Sequence, residues 1–257
     1  MKTIEFNPDG KPTIITPEVS SRDEAVRNEV LAEALPLIIH KLKNKLTPVL
    51  GYTQILQTRE LDEFTRERLT RIERNTTELT EALNLLKEYC RPVPADLRPG
   101  YINDVVEGLA PRWQAMAAAA GTRISLELED GLPALPLAAG RLRILLLSLA
   151  ENSISALESK AAGKKEIRIT TRGGGDALAL AVRDNGCGMS EVEAASAWTP
   201  FYAKFPGHAG LGLVLCEKII SDHGASIAVV SVPGESSEFT ISFPRPACPQ
   251  AKQTNER

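Results

Sequence analysis

The 257-residue sequence has no excess of basic residues, no paired cysteines and no long apolar run. Its formal net charge is −3, so it offers no overall positive field to nucleic acid or to an anionic membrane surface. Its four cysteines lie far apart without a CxxC pair, so neither a disulfide framework nor a zinc site is indicated. We expect free thiols in a reducing compartment, and we do not expect nucleic acid as a partner.

Membrane-spanning and secretory segments are missing as well. The longest apolar run, Ile144 to Ala150, contains one serine and is far shorter than the roughly 20 residues that a membrane helix needs. Residues 1–20 contain three prolines and no apolar signal segment. The sequence therefore predicts a cytoplasmic protein without a membrane span. Residues 1–20 are predicted to form an extended or poorly ordered N-terminal extension.

Two helices are predicted within residues 21–90. The first runs to about Thr58, and apolar residues recur along it every seven positions, at Leu35, Leu42, Val49 and Leu56, with Ile38, Ile39 and Leu46 at the neighbouring core positions. After a polar break near residues 60–62, the second helix spaces its apolar stripe in steps of three and four, at Leu69, Ile72, Thr76, Leu79, Leu83 and Leu86. Two antiparallel helices with one stripe each cannot bury a core alone, so we expect a homodimer with a four-helix bundle.

The composition changes after a proline-rich segment, residues 91–100, which is predicted to be a linker. Residues 101–244 then mix helical and strand patterns, which predicts an α+β fold with one sheet covered by helices on one side. Helices are expected over about 101–120, 140–159 and after 210, and strands near 123–129, 166–172, 177–184, 226–232 and 238–243. The tail, residues 245–257, is expected to be disordered.

His40 lies near the outer face of the first helix, and Asn44 follows one turn later. A helical histidine is by default a solvated surface residue. Its surroundings, IIHKLKNKLTPVLGYTQIL (Ile38–Leu56), nevertheless resemble the phosphoacceptor box of histidine kinases. The resemblance implies that His40 attacks the γ-phosphorus of ATP to form a phosphoramidate, and that Asn44 orients a water molecule or the nucleophile.

Lys41 departs from the family pattern, which usually has an acidic residue directly after the histidine. A lysine cannot act as a base near neutral pH without a large depression of its pKa. We therefore expect either inefficient autophosphorylation or an electrostatic role for Lys41, towards the γ-phosphate or the phosphorylated histidine.

The segment RLRILLLSLAENSISAL (Arg141–Leu157) is similar to the N box of the ATPase superfamily that histidine kinases share with gyrase, a heat-shock chaperone and mismatch-repair ATPases. The similarity implies that Asn152 holds Mg²⁺ against the phosphates and that Glu151 helps as a base. Ser148 stands where the gyrase-like ATPases have a catalytic glutamate. Because serine cannot activate water as a glutamate does, steady ATP hydrolysis of the gyrase kind is not expected.

Two glycine-rich segments extend the resemblance. In VRDNGCGM (Val182–Met189), Asp184 is expected to accept a hydrogen bond from the adenine amine, while Gly186 and Gly188 let the backbone approach the base. In WTPFYAKFPGHAGLGLVLCEKII (Trp198–Ile220), a helix opens whose N-terminal amides suit phosphates. The residues that open it are Gly210, Leu211 and Gly212, and Lys204 is expected to reach a phosphate. His208 is interpreted as a loop residue and His223 as structural.

The resemblance as a whole is to a two-component sensor histidine kinase, with a dimeric hairpin followed by an α/β-sandwich ATP-binding domain of the Bergerat type. It implies ATP and Mg²⁺ as cofactors, and as partners a response-regulator receiver domain and a separate sensory protein. Two alternatives remain open: a phosphatase of the response regulator, and an ATP-binding scaffold with weak autokinase activity.

Overall fold

The computed structural model describes residues 3–6, 12–15, 22–91, 97–160, 163–205 and 208–245, with side chains from Leu35 onwards. Within the predicted N-terminal extension, strands β1 (Thr3–Phe6) and β2 (Pro12–Ile15) pair antiparallel, which the sequence did not indicate. Half of the predicted linker, residues 92–96, and all but Arg245 of the predicted tail lie outside the described residues.

The first two helices form an antiparallel hairpin. Helix α1 (Arg22–Gln57) continues through both of its prolines, and helix α2 (Glu63–Tyr89) begins after a short turn. Asp62 caps α2, because its carboxylate accepts hydrogen bonds from the backbone N–H and the hydroxyl of Thr65. The hydroxyl of Thr65 also lowers the pKa of Asp62. The predicted polar break near residues 60–62 is therefore a capped helix start.

The seam between α1 and α2 differs from the predicted one. The helices bury Ile39 and Thr53 against each other, with Leu46 half-buried between them, and the facing residues of α2 are Leu69, Thr76 and Leu83. Each set has a spacing of seven. The α1 set is offset from the heptad row expected at Leu35, Leu42, Val49 and Leu56, whereas the α2 set belongs to the expected stripe. In this single chain the expected seam residues are largely exposed: Leu42 by 47%, Val49 by 42% and Leu56 by 45%. Each predicted seam therefore divides into two apolar stripes, one between the helices, which includes the predicted Ile39 and Leu46 of α1, and a second that is exposed in the single chain.

The remaining chain forms helices packed on a mixed sheet. One helix was expected over residues 101–120, but there are two, α3 (Ile102–Glu107) and α4 (Ala110–Ala119). The break falls next to Pro111, which fits a first helical turn because it lacks the N–H that a helix interior requires. Residues 98–100 of the predicted linker form strand β3 (Arg98–Gly100), which pairs with strand β5 (Leu135–Leu137).

The main sheet has five strands in the order β4-β6-β7-β9-β8. The pair β4-β6 is parallel and the other neighbours are antiparallel. Strands β7 and β9 alternate fully buried with partly buried residues, as expected for a sheet whose one face packs on helices. The strands are β4 (Arg123–Leu128), β6 (Glu166–Gly174), β7 (Ala177–Asp184), β8 (Ser226–Val232) and β9 (Ser236–Pro244).

Three further helices complete this region: α5 (Ala139–Glu158), the short α6 (Glu191–Ser196) and α7 (Gly212–Asp222). Apolar residues of α5 and α7 share one core with the sheet, and Leu142, Leu145 and Leu149 of α5 have no exposed surface. The predicted α+β class, a helical N-terminal region followed by a sheet with helices, is confirmed. No helix among the described residues is long and apolar enough to span a membrane.

A buried polar cluster joins α5 and α7 where the hairpin meets the sheet region. The guanidinium of Arg141 pairs with the carboxylate of Asp222 at 2.9 Å, and both side chains are almost fully buried. Beside them, His223 accepts a hydrogen bond from the backbone N–H of Ala138 and donates one to the carbonyl of Ile219. Burial lowers the pKa of His223, which favours the neutral ring that this pattern needs. His223 thus links two helix ends, in keeping with a structural role.

Candidate nucleotide site

A cavity of about 830 Å³ opens between α5, the loops around α6 and the start of α7. Helices α2 and α4 close one side of it, and Leu85 of α2 also packs on the core beneath the sheet. Its polar lining comes from five different parts of the chain: Glu81, Arg112, Ser148, Glu151, Asn152, Asp184, Lys204 and His208. Most residues that the sequence motifs singled out therefore meet in one place.

Asp184 lies at the end of β7, facing the cavity, and is only 2% exposed. One carboxylate oxygen accepts the backbone N–H of Gly186 at 2.9 Å, and the other accepts the hydroxyl of Ser153 on α5 at 3.1 Å. Burial raises the pKa of Asp184, while the bond from Gly186 opposes that shift. The result is a fixed, partly desolvated carboxylate that offers an acceptor to a ligand amine.

The glycines after Asp184 are required by close backbone contacts. A β-carbon on Gly186 would lie 2.8 Å from Ala156, and one on Gly188 would collide with the carbonyl oxygen of Val232. Gly188 also has a φ of +60°, in the left-handed region that favours glycine. The sequence predicted that these glycines let the backbone approach a nucleotide base, whereas the structure shows close approach to the protein's own α5 and β8.

The middle of α5 presents Ser148, Glu151 and Asn152 to the cavity. The Nδ2 atom of Asn152 is buried and has no hydrogen-bond partner among the described residues. Such an amide is expected to find its partner in a ligand, because a buried unpaired donor is costly. Burial raises the pKa of Glu151, and the positive charge of Arg112 opposes this shift.

The start of α7 forms the opposite wall. Gly210 has a φ of +67°, and a β-carbon there would lie 2.6 Å from the backbone of Phe201. A β-carbon on Gly212 would meet the Ser148 hydroxyl at 2.7 Å, so both residues must be small where α7 crosses α5. The intervening Leu211 is buried and its side chain makes no capping hydrogen bond, so it contributes backbone only. The first amides of α7 are left for a ligand.

Lys204 is placed differently from the expectation of a phosphate contact. Its ammonium donates to the carbonyl of Gly188 at 2.9 Å and pairs with the carboxylate of Glu193 at 2.9 Å. The hydrogen bond from Lys204 is the main cause that lowers the pKa of Glu193. A phosphate contact would require Lys204 to leave this pair. Glu193 was missed because nothing in its local sequence shows which lysine it meets.

His40 and Lys41 are exposed on α1 and do not line the cavity. The Asn44 side chain lies 3.2 Å from His40, between Nδ2 and Nε2. One turn along, Lys43 donates to Asn84 of α2 at 2.7 Å, and Asn84 does line the cavity. The structure thus brings His40 and Asn44 together but leaves them on the outer side of the helix pair that walls the cavity.

The comparisons with known proteins agree with this geometry. Residues 138–247 match the family described as histidine kinase-, DNA gyrase B-, and HSP90-like ATPase. Two sequence relatives are the signal transduction histidine-protein kinase AtoS of Escherichia coli and the sensory histidine kinase/phosphatase NtrB of Rhodobacter capsulatus. The first is 30% identical over 234 residues, covering 90% of this chain and 37% of AtoS. The second is 30% identical over 224 residues, covering 81% of this chain and 60% of NtrB.

Solved structures share the fold. Full-length ShkA, in complex with AMPPNP, matches with a TM-score of 0.66 at 24% identity, over 82% of this chain and 45% of that one. Histidine kinase ThkA, in complex with the response regulator protein TrrA, matches with a TM-score of 0.62 at 17% identity. The match covers 95% of this chain and 74% of the ThkA chain. Residues 138–247 therefore form an ATP-binding domain of the histidine kinase and gyrase type. Over 81–90% of its length the chain is similar in sequence to the two histidine kinases named above, and it spans 37% and 60% of their lengths.

The close approach at Gly188 gives a testable consequence. We expect Gly188→Ala to lower the free energy of unfolding by about 3 kcal/mol, because it adds both left-handed strain and a clash with Val232. Gly234→Ala is the matched control, since Gly234 has a φ of +80° but no neighbour within 4 Å of a β-carbon. It should cost only about 1 kcal/mol. Equal losses in urea unfolding would show that the clash is unimportant.

Proposed function

We propose that this chain is the kinase core of a two-component system, which phosphorylates His40 from ATP and passes the phosphoryl group to an aspartate of a response regulator. The observation that carries the proposal is the convergence of Asp184, Asn152 and the start of α7 on one cavity, beside a hairpin that carries an exposed histidine. The names of the relatives support the same activity.

In the proposed complex the adenine amine donates to the carboxylate of Asp184, which Ser153 and Gly186 hold in place. The phosphates lie towards Gly212, where the first amides of α7 and the positive end of its dipole favour an anion. Asn152 lies between these two ends on α5. The nucleotide is thus oriented with its γ-phosphate at the side of the cavity that α2 closes.

The residues present fit a magnesium ion bound with the nucleotide. Asn152 supplies a side-chain oxygen of the kind that Mg²⁺ prefers, and its buried Nδ2 has no hydrogen-bond partner among the described residues, which supports a ligand at this side chain. The ion would offset the negative charge of the phosphates. Glu151, whose pKa is raised by burial, stands next to this position as a candidate proton acceptor.

His40 is arranged as a nucleophile. The Nδ2 atom of Asn44 lies 3.2 Å from Nε2 of His40, so the amide N–H can point at a lone pair on Nε2 when the ring carries its proton on Nδ1. That lone pair would form the N–P bond while the bond between the γ-phosphorus and the ADP oxygen breaks, and the Nδ1 proton would leave to a base or to solvent. Lys41 is no such base. Because His40 lies outside the cavity, transfer requires the ATP-binding domain to move or a second protomer to present its nucleotide.

The domain organisation that we propose follows from these elements. Residues 1–20 precede the hairpin, residues 21–90 provide dimerisation and phosphotransfer, residues 91–97 link, residues 98–244 bind nucleotide because β3 pairs with β5, and residues 245–257 form a tail. Dephosphorylation of the regulator is a second candidate activity, favoured by Asn44 beside His40 and by Lys41 in place of an acid.

The test of autophosphorylation uses γ-labelled ATP with Mg²⁺. We expect the chain to acquire acid-labile, base-stable label, and we expect His40→Gln to acquire none. Lys41→Glu, which restores an acidic neighbour, should raise the labelling rate by about tenfold or more, as positioned general bases do. A folded protein that binds ATP without being labelled would contradict the kinase proposal and favour the phosphatase or the scaffold.

We also propose that the second stripes of α1 and α2 form the homodimer interface. In one chain these stripes leave exposed a row of large apolar side chains at helical spacing, Leu42, Val49, Leu56, Ile72 and Leu79, each 42–49% exposed. A continuous apolar row of this kind is the seam that a four-helix bundle buries. A second copy supplies a matching row, since a two-fold interface is self-complementary.

The dimer is tested by placing charges in that row. Sedimentation equilibrium should show a dimer for the unmodified chain and a monomer for Val49→Glu combined with Ile72→Glu, because both glutamates would be buried unpaired. Thr47→Glu combined with Thr70→Glu is the control, since both threonines are exposed and lie off both stripes. Helix content by circular dichroism checks that the hairpin persists. A dimer that survives the first pair of changes would contradict this interface.

A further inference from the structure

His208 connects the loop before α7 to α5 across the cavity. Its Nε2 lies 2.8 Å from the hydroxyl of Ser155, and His208 itself lines the cavity with Glu151 and Asn152. Ser155 is 8% exposed and therefore fixed, whereas His208 is exposed. The sequence had suggested only a loop residue here, so this link across 53 positions is a feature that the fold reveals.

The hydrogen-bond pattern defines which atom of the ring is engaged. The hydroxyl of Ser155 also donates to the carbonyl of Glu151 at 3.1 Å, and a carbonyl can only accept. One hydroxyl proton cannot serve both contacts, so both are satisfied together only if Nε2 of His208 carries a proton and donates to Ser155. Nδ1 is then the ring atom that remains for a ligand or for a second proton.

The acidic side chains that line the cavity make a second proton on His208 favourable for binding an anion. The lining carries five carboxylates, from Glu81, Glu151, Glu158, Asp184 and Glu193. Arg112 and Lys204 are the basic side chains of the lining, and Lys204 is already paired with Glu193. A triphosphate would therefore enter a site with an excess of negative charge. A cationic His208, in the loop before α7, would form a favourable charged contact with the phosphates.

We propose that His208 is a nucleotide-positioning residue: held by Ser155 through Nε2, it takes up a proton from solvent when the nucleotide phosphates enter, and pairs with them through Nδ1. This inference rests on the proposed function, because it assigns the phosphates to the same cavity. The charged groups that border the cavity with His208 are Glu151 and Glu158 of α5, Arg112 of α4, Glu81 of α2, Asp184 of β7, Glu193 of α6 and Lys204 of the preceding loop. None of these is changed in the test.

The test measures binding of Mg-AMPPNP by calorimetry at about pH 6 and about pH 8, which brackets the range in which histidine commonly titrates. His208→Gln is the matched variant, because its amide can still donate to Ser155 but cannot become charged. We expect this variant to bind about tenfold more weakly than the unmodified chain at the lower pH, and about equally at the higher pH. Titration of the nucleotide's own phosphates is common to both proteins.

Two further readouts separate positioning from a merely structural role. Proton uptake, obtained from the binding heat in buffers of different ionisation enthalpy, should be larger for the unmodified chain than for His208→Gln. Ser155→Ala keeps the imidazole but removes its anchor, and it should also weaken binding at the lower pH. A loss in His208→Gln that is equal at both pH values, or no loss at all, would overturn the inference, as would a Ser155→Ala variant that binds like the unmodified chain.

Failure of this inference is distinguishable from failure of the proposed function. If the unmodified chain binds AMPPNP and labels His40 from ATP, but His208→Gln has the same pH profile, only the role of His208 is wrong. If binding shows the expected pH difference without label on His40, the role of His208 stands and the kinase proposal is wrong. If the unmodified chain does not bind AMPPNP, both are wrong.

Discussion

The buried carboxylate of Asp184 is the interaction on which the candidate site depends. It ends β7, accepts the hydroxyl of Ser153 from α5 and holds the backbone of Gly186, so one side chain fixes a strand, a helix and a loop relative to each other. Burial raises its pKa, which means that the ionised form costs stability near neutral pH. A buried carboxylate that lowers stability when ionised, and that hydrogen bonds hold in one orientation, is typical of a binding site.

The rest of the cavity follows from how closely α5, β8 and α7 approach this carboxylate. Small residues make that approach possible: Gly186 against Ala156, Gly188 against Val232 and Gly212 against Ser148. Because α7 begins at this crossing without a side-chain cap, its free amides face the same space as Asn152. The adenine end and the phosphate end of the proposed nucleotide are thus set by packing of the protein on itself.

The sequence was sufficient to locate the main helices and strands. Hydrophobic periodicity located the hairpin, α5, α7 and the five main strands to within a few residues. Gly186 and Gly188 were predicted to allow close approach to a base, and the close contacts that the structure shows are with Ala156 and Val232 instead. The sequence was insufficient for the phase of the hairpin, because α1 carries two heptad stripes and periodicity alone does not show which one faces α2. Leu42 and Val49 were predicted on the same seam as Ile39 and Leu46, and the structure separates them, since only Ile39 and Leu46 of these four face α2.

Contacts between distant residues were also beyond the sequence. The pair of Lys204 with Glu193 and the bond of His208 to Ser155 depend on how the loops fold over α5, and neither has a local signal. The interruption between α3 and α4 did have a local sequence signal, Pro111, because proline is better tolerated in the first turn of a helix than in its interior. The outer position of His40 was predicted from its phase relative to the apolar residues. Its separation from the cavity needed the structure, because it depends on how α2 packs against the sheet region.

The account is tested most directly by Asp184→Asn. Asparagine keeps an oxygen that can accept from Gly186 but removes the negative charge, so the variant should fold with a free energy of unfolding no lower than that of the unmodified chain. Its affinity for ATP should fall at least about tenfold, because a charged acceptor for the adenine amine is lost. Both quantities are obtained from urea unfolding with and without ATP. A stably folded variant with unchanged affinity would contradict the assignment of Asp184, and with it the orientation of the nucleotide in this cavity.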